Sequence, residues 1–325
     1  MQRTFHIGFY FIFKILIFNI FIFSSARAQL TFVELNCENL FDTHHDIGKN
    51  DMEFTPEGVR HWTKSRYWHK LNSIGQEILS CSKELPDLVA LCEVENDTVL
   101  HDLTRRSLLR TLGYHYLMTE SSDPRGIDVA LLYQPVRFRP LCYEYFEVPL
   151  VKEMSPTRDI LYVSGLTKDF DTLHVFVVHA PSRRNGEKAS RPYRMQVMQT
   201  LSERIAEFGK ANVIVAGDFN DYADSQPLRF LEQQGLTNAT KTLRGSNGVG
   251  GTYRYQGEWR SLDHILLSPS LTSRMDTAYI NDASFLLEED PRYGGLRPRR
   301  TFNGYRYQYG GFSDHLPLVM KLCVE

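Results

Sequence analysis

The sequence predicts an α/β chain: two mainly antiparallel sheets packed face to face with helices outside them, in helix, sheet, sheet, helix order. Three observations lead there. Strand-like and helix-like runs alternate along the whole chain of 325 residues. Several strand-like runs come as neighbouring pairs with no helix between them, which argues against an all-parallel doubly wound sheet. No repeat, low-complexity tract or linker divides the chain, so one large domain is expected.

The elements follow in order. Residues 1–28 contain no Asp or Glu, although the chain has 39. Arg3 opens this stretch, Phe, Ile and Leu dominate from Phe5 to Phe23, and Ala26-Arg27-Ala28 offers a small-x-small cleavage site. That is the pattern of a cleaved export signal. The alternative is a retained anchor, since the run is long enough to span a bilayer. Cleavage leaves residues 29–325 as one domain, exported to a periplasm or secreted, with no stable membrane insertion. Thr31 to Cys37 is a short β-rich run. Ser65 to Ser80 carries Tyr67, Leu71, Ile74 and Ile78 at helical spacing. Asp87 to Cys92 is a continuous apolar run, read as a buried strand, and Asp97 to Leu112 reads as a helix N-capped by Asp97.

Tyr114 to Met118 and Ile127 to Tyr133 read as strands around the turn Asp123-Pro124-Arg125-Gly126. Ile160 to Leu166 and Thr172 to Val178 form a second such pair. Ser190 to Phe208 is a helix with Val197, Leu201, Ile205 and Phe208 on one face. Val213 to Ala216, Leu262 to Leu267 and Leu316 to Leu322 complete the strands.

Removing Arg3, Lys14 and Arg27 with the leader leaves 34 basic residues against 39 acidic ones. The domain is mildly acidic, so any attraction to nucleic acid must be local. Five Cys remain, an odd number without metal-type spacing. Most are expected to be small buried apolar residues, with at most one or two bridges.

Polar residues of interest sit where strands end. Val213 to Ala216 runs into Gly217-Asp218-Phe219-Asn220, delivering an Asp and an Asn two apart. Thr31 to Leu35 ends in Asn36-Cys37-Glu38, and alternation puts Asn36 and Glu38 on one face. Glu93 ends the next strand and His179 a later one. Ser261-Leu262-Asp263 opens a strand, and Ser313-Asp314-His315 leads into the last. Any one of these is commonly a turn or a structural polar residue. Six together are hard to explain so, because each uncompensated buried charge costs several kcal/mol.

In this order, the set resembles the endonuclease/exonuclease/phosphatase superfamily from about Phe32 to Leu322. Tyr116-Leu117-Met118-Thr119-Glu120 looks like the pancreatic-type deoxyribonuclease pattern, where a Glu partners the first catalytic His. Trp259-Arg260-Ser261-Leu262-Asp263 is similar to abasic-site endonucleases. The resemblance implies a four-layered α/β/β/α sandwich with the site at one edge of both sheets. It implies Glu93 as the principal metal ligand, with Glu38 and Asp314 as further oxygen ligands. Glu38 stands where many relatives have Asp, so a loop-ordering role competes with ligation. Hard oxygen ligands suit Mg²⁺, or Mn²⁺. Asp218 would orient or deprotonate water. Asn36 and Asn220 would donate to phosphate oxygens. His315 paired with Asp263, and His179 paired with Glu120, would hold or protonate phosphoryl oxygens, each raised in pKa by its carboxylate.

Arg and aromatic residues cluster after His179 and before Ser313, where Arg183 and Arg300 are candidates for binding substrate. Arg beside aromatic faces suits a phosphate backbone with stacked bases. The expected activity is therefore hydrolysis of phosphodiesters in nucleic acid. The alternative is a phosphatase or phospholipase C-type enzyme acting on inositol phosphates or sphingomyelin. A non-catalytic binding module is disfavoured because every catalytic position is filled.

Overall fold

The computed structural model describes residues 28–167, 172–184 and 186–324; apart from Ala28, the expected leader lies outside the described residues. In chain order the first strands are β1 (Ala28–Leu40), β2 (Leu88–Val94), β3 (His115–Met118), β4 (Asp128–Tyr133), β5 (Phe138–Phe146) and β6 (Ile160–Thr167). They are followed by β7 (Leu173–His179), β8 (Asn212–Asp218), β9 (Thr237–Asn238), β10 (Tyr253–Tyr255), β11 (Glu258–Arg260) and β12 (Asp263–Leu267). The last are β13 (Met275–Ile280), β14 (Leu287–Glu289), β15 (Leu296–Pro298), β16 (Phe302–Asn303), β17 (Arg306–Tyr307) and β18 (Leu318–Val324). The helices are α1 (Lys64–Ser80), α2 (Asp97–Arg105), α3 (Glu187–Ala206), α4 (Gln226–Gln233) and α5 (Pro269–Thr272).

Two six-stranded sheets form the body, in the orders β13-β18-β1-β2-β4-β3 and β5-β6-β7-β8-β12-β9. Each is antiparallel except for one central pair, β1/β2 and β7/β8. A parallel pair needs a crossover, and α1 and α3 supply it. Period-2 alternation assigns the faces. Phe32, Ala90 and Leu131 of the first sheet meet Val163, Val175, Ile214 and Ile265 of the second in the middle layer. Val33, Leu35 and Val89 point the other way, onto Leu71 and Ile74 of α1 and Leu100 and Leu103 of α2. Phe176 and Val215 likewise pack under Val197 and Leu201 of α3 and Leu228 of α4. The four layers are those the sequence predicts.

Local differences have local causes. The second helix stops at Arg105, and its N-cap is Asn96, whose side chain accepts from the Val99 amide. Strand β5 has no sequence signature because it is an edge strand with most residues exposed. The five Cys are free: Cys37, Cys81 and Cys92 are buried, Cys142 is exposed and Cys323 intermediate. No helix among the described residues is long and apolar enough to cross a membrane.

The α1 face also buries charge. Glu77 is fully buried and neither of its oxygens has a hydrogen-bond partner. Burial, with Glu38 adding and Lys70 opposing, pushes its carboxyl up to about 8. Folding therefore favours the protonated form, and that stability is lost as pH rises from the ordinary carboxylate range through about 8. Thermal melts should show Glu77→Gln melting with wild type near pH 5 and clearly above it at pH 9. Parallel pH profiles for the two proteins would refute this.

Candidate active site

The C-terminal ends of both parallel pairs meet at one edge of the sandwich. In open α/β sheets ligands bind outside such strand ends. The main chain there is unusually bent. Glu38, Asn39, Glu93 and Asn220 have φ of 50°, 56°, 61° and 50°, a region non-glycine residues rarely occupy and one that concentrates at functional sites. The β1/β2 and β2/β4 registers shift at the same place. Gly217 has φ 145°, and a Cβ there would overlap the Val178 carbonyl, so only glycine lets β8 run this close to β7. Beneath, Cys92 Sγ donates to Val178 O at 3.4 Å and accepts the Asp218 amide at 3.5 Å.

These bends converge on Asp218. Its Oδ1 accepts the Asn220 amide at 2.7 Å, and its Oδ2 accepts Asn36 Nδ2 at 3.0 Å and Asn220 Nδ2 at 3.2 Å. His179 Nε2 stands 3.6 Å from Asp218 Oδ2 and 3.9 Å from Glu93 Oε1. Asp263 lies opposite Asp218 in the β8/β12 ladder. Its Oδ2 contacts His315 Nδ1 at 2.7 Å and also takes the Thr252 hydroxyl. Ser313 Oγ donates to Asn36 O at 2.6 Å, joining the His315 segment to β1.

The protonation states divide. Burial, reinforced by Asp263, pushes Asp218 up to about 7, so its carboxylate can accept a proton near neutrality. Burial opposes charge on His315, but Asp263, its hydrogen bond, Asp314 and Asp218 outweigh it and keep His315 protonated well above the usual range. His179 goes the other way: burial, then Arg158, Arg125 and His315, hold it neutral. Glu93 is buried, which would raise it, yet Arg125 and His315 keep it low and ionised.

Two expectations are corrected. Glu120 does not partner His179. Thr119 Oγ1 and the Ser121 amide both bond Asp128, which leaves the intervening Glu120 exposed on a separate cavity of about 410 Å³. His179 Nδ1 is buried without a partner, and the imidazole is lowered rather than raised in pKa. Glu38 leaves the regular strand with a left-handed backbone, φ 50°, and its carboxylate fits the loop-ordering role better than ligation. Both its oxygens are taken, by the amides of Thr301 at 2.5 Å and Phe302 at 3.1 Å, with Lys70 Nζ 4.0 Å away. It orders a loop.

Sequence reasoning missed the residues that hold the candidate site in place. Buried Lys70 donates to Thr301 Oγ1 and Phe312 O across the loop that leads to Ser313. Buried Arg158 pairs with Asp123 at 2.9 Å and donates to the carbonyls of His179 and Ala180. Both are single cations far away in sequence, with no local pattern to mark them. Arg183 stacks over Tyr222 at 4.1 Å, and Arg300 lines a cavity with Tyr253, whose ring lies 4.8 Å from that of His315.

The donors fit a hard divalent cation. Glu93 Oε2 accepts the Asn39 amide at 2.8 Å, which leaves Oε1 free of hydrogen bonds, and Asp314 is partly exposed with no hydrogen bond to its side chain among the described residues. Carboxylate oxygens of this kind suit Mg²⁺ or Mn²⁺. Asp218, Asp263 and His315 also bring ligand-type atoms within 4.8 Å of one another. Asp218 and Asp263 Oδ2 are already hydrogen-bonded, which favours an acid–base role, although Asp263 Oδ1 is buried without a partner.

A family profile described as "Endonuclease/Exonuclease/phosphatase family" matches residues 31–323. Among solved structures, an endonuclease/exonuclease/phosphatase family protein from Bacteroides thetaiotaomicron is similar at TM-score 0.59 and 17% identity, over 92% of this chain and 99% of that one. D. rerio TDP2 complexed with single strand DNA product is similar at TM-score 0.56 and 16% identity, over 90% and 98%. A Bacteroides thetaiotaomicron mannosyl-6-phosphatase gives TM-score 0.56 and 18% identity, over 90% and 98%. At these identities the likeness is one of fold. No curated protein sequence matches the chain.

Asp218→Asn and His315→Ala should each lower kcat on the order of 10²–10³-fold. In wild type kcat/KM should rise with pH through about 7 as Asp218 ionises; a flat profile from pH 5.5 to 8 would count against it as the base. Calorimetric titration should separate the two Glu residues. Glu93→Gln should lose Mn²⁺ binding, whereas Glu38→Gln should keep it and melt at lower temperature, because Lys70 loses a buried partner. Equal loss of Mn²⁺ binding would restore Glu38 as a ligand.

Proposed function

The chain belongs to the endonuclease/exonuclease/phosphatase family of phosphoric ester hydrolases, and on that premise we propose that it is an exported, divalent-metal-dependent phosphodiesterase that cuts nucleic acid with activated water. The observation that carries this reading is the pairing of an ionisable base with a protonated acid at one edge of the sandwich: Asp218 at the end of β8, near neutrality, and His315 in the segment leading into β18, held protonated by Asp263. A phosphodiester is an anion that repels hydroxide. It needs its charge offset, water aligned in line, and its leaving oxygen stabilised.

In this reading Asp218 takes the proton of the attacking water, oriented by its bonds from Asn36 and Asn220. Asn36 keeps one Nδ2 hydrogen for the phosphate, while both of Asn220 are taken, by Asp218 Oδ2 and Ala180 O. His315 donates to an oxygen of the phosphoryl group or leaving group, and neutral His179 adds a donor on the other side. Glu93 and Asp314 would hold the cation, which when bound neutralises phosphate oxygens.

Nucleic acid is favoured by the surroundings. Tyr222, four residues past Asp218, has guanidinium groups near its ring, Arg183 at 4.1 Å and Arg260 at 5.2 Å. It lines a groove of about 780 Å³ with Lys241, Arg244, Trp259 and Arg260. Local positive charge of this kind offsets the acidic net charge, and aromatic faces take bases. The TDP2 neighbour bound to single-stranded DNA product agrees with this reading. A second reading, a phosphatase for small sugar or inositol phosphates, draws support from the equally similar mannosyl-6-phosphatase. Export rests on the leader alone.

The test is an activity panel on residues 29–325 beside His315→Ala. Substrates would be plasmid DNA, RNA, bis-p-nitrophenyl phosphate, mannose 6-phosphate, inositol phosphates and sphingomyelin, each with and without EDTA. EDTA-sensitive cutting of nucleic acid, lost in the variant, is expected. Phosphate release with plasmid and RNA intact would move the function to the second reading. In cells expressing the full chain, N-terminal sequencing should find Gln29 first.

A further inference from the structure

The β10–β11 hairpin, whose later residues line the Tyr222 groove, also borders a second basic cavity, of about 340 Å³, with its earlier residues. One wall is the β10–β11 hairpin. Its two-residue turn, Gln256 at φ 49° and Gly257 at φ 85°, is the left-handed kind that a tight hairpin requires. The other wall runs from Asp290 to Asn303. Buried Arg254 ties the two together, donating to Gly257 O, Gly294 O and Leu296 O and pairing with Asp290 at 3.3 Å. The walls are therefore fixed relative to each other. They are also fixed relative to the reaction centre, because Tyr253 bridges to His315 through the backbone and lies against its ring.

The cations in this cavity are not equivalent. Arg254 is consumed by the wall, and Arg297 is paired with Glu288 at 2.7 Å. Arg300 is different: its Nε is buried with no hydrogen-bond partner. A buried donor left unmade costs free energy, and an arriving anion would remove that cost. The exposed Arg292 guanidinium lies over the Tyr293 ring at 5.1 Å and has no carboxylate partner among the described residues. Beside them stand two tyrosines with open faces, Tyr255 at 60% and Tyr293 at 44% exposure. Unused guanidinium donors beside accessible aromatic rings are what an unpaired nucleotide needs: a fork for its phosphate and a face for its base.

We propose that this cavity is a nucleotide subsite, holding the phosphate and unpaired base next along the strand from the scissile phosphate of a single-stranded nucleic acid. Arg300 and Arg292 take the phosphate, and Tyr255 and Tyr293 stack on the base. This rests on the phosphodiesterase reading above and narrows it. The strand crosses the hairpin ridge, with the Tyr222 groove on one side and this subsite on the other, so the preferred substrate is a chain rather than a small ester.

The experiment measures kcat/KM for single-stranded oligonucleotides of two to twelve residues, a matched duplex, and bis-p-nitrophenyl phosphate. Wild type is compared with Arg300→Ala, Arg292→Ala and Tyr255→Ala. Arg292 and Tyr255 are surface residues, so their variants guard against misfolding in Arg300→Ala. Expected is a rise in kcat/KM with chain length and a preference for single strand over duplex. The Arg variants should lose roughly ten- to a hundredfold on oligonucleotides beyond any loss on the small diester. Tyr255→Ala should lose roughly five- to a hundredfold by the same comparison. Length-independent cleavage, or equal losses on both substrate classes, would overturn the subsite while leaving the nuclease reading intact. Hydrolysis of the small diester with every oligonucleotide uncut would overturn both.

Discussion

The hydrogen bond from Asn36 to Asp218 joins the two sheets at the edge where the chemistry sits. Asn36 belongs to one sheet and Asp218 to the other, and the contact is buried at 3.0 Å. The middle layer that holds the sheets together is apolar and non-directional, so it sets their separation better than their register. The Asn36 bond supplies direction. Ser313 bonds to the same Asn36 main chain, and through it the His315 segment is referenced to both sheets.

Burying that much charge at one edge is costly unless the charges are sorted. Here they are sorted by state. Asp263 is spent on His315, Asp218 lies close enough to neutrality to change state, and Glu93 is kept ionised by Arg125 and His315. Two carboxyls remain unpartnered below, Glu34 between the sheets and Glu77 under α1. Glu34 is raised well above the usual range, first by burial and then by Asp263 and Asp218. A neutral carboxyl there avoids adding a further negative charge beneath Asp218. The strained backbone at Glu38, Asn39, Glu93 and Asn220 is compatible with folding because each of these residues is tied by hydrogen bonds to a neighbouring strand or loop.

The loop before Ser313 shows how support is built from distant elements. Lys70 comes from an outer helix, Glu38 from a strand end, and Thr301 and Phe312 from the loop itself. Burial of the ammonium and the carboxyl is tolerated because each meets the other and the loop's amides and carbonyls.

Much of this was legible from residue order. Periodicity located the sheet interior and its covering helices, since side-chain direction is a local property of a strand or helix. The strand-end residues Asn36, Glu93, His179, Asp218, Asp263 and His315 could be singled out because polar groups that interrupt buried apolar runs need a reason. What only the tertiary structure decided was partnership. Alternation placed Glu38 beside Asn36, but a left-handed turn sent it to Thr301. A motif placed Glu120 beside His179, but the Thr119–Asp128–Ser121 bonds turned it to solvent. Lys70 and Arg158 carried no signal at all. Local sequence determines which way a side chain leaves a regular strand. Which group it meets depends on chain segments hundreds of residues apart and on the few residues whose backbone departs from regularity, and those are settled only when the two sheets close on each other.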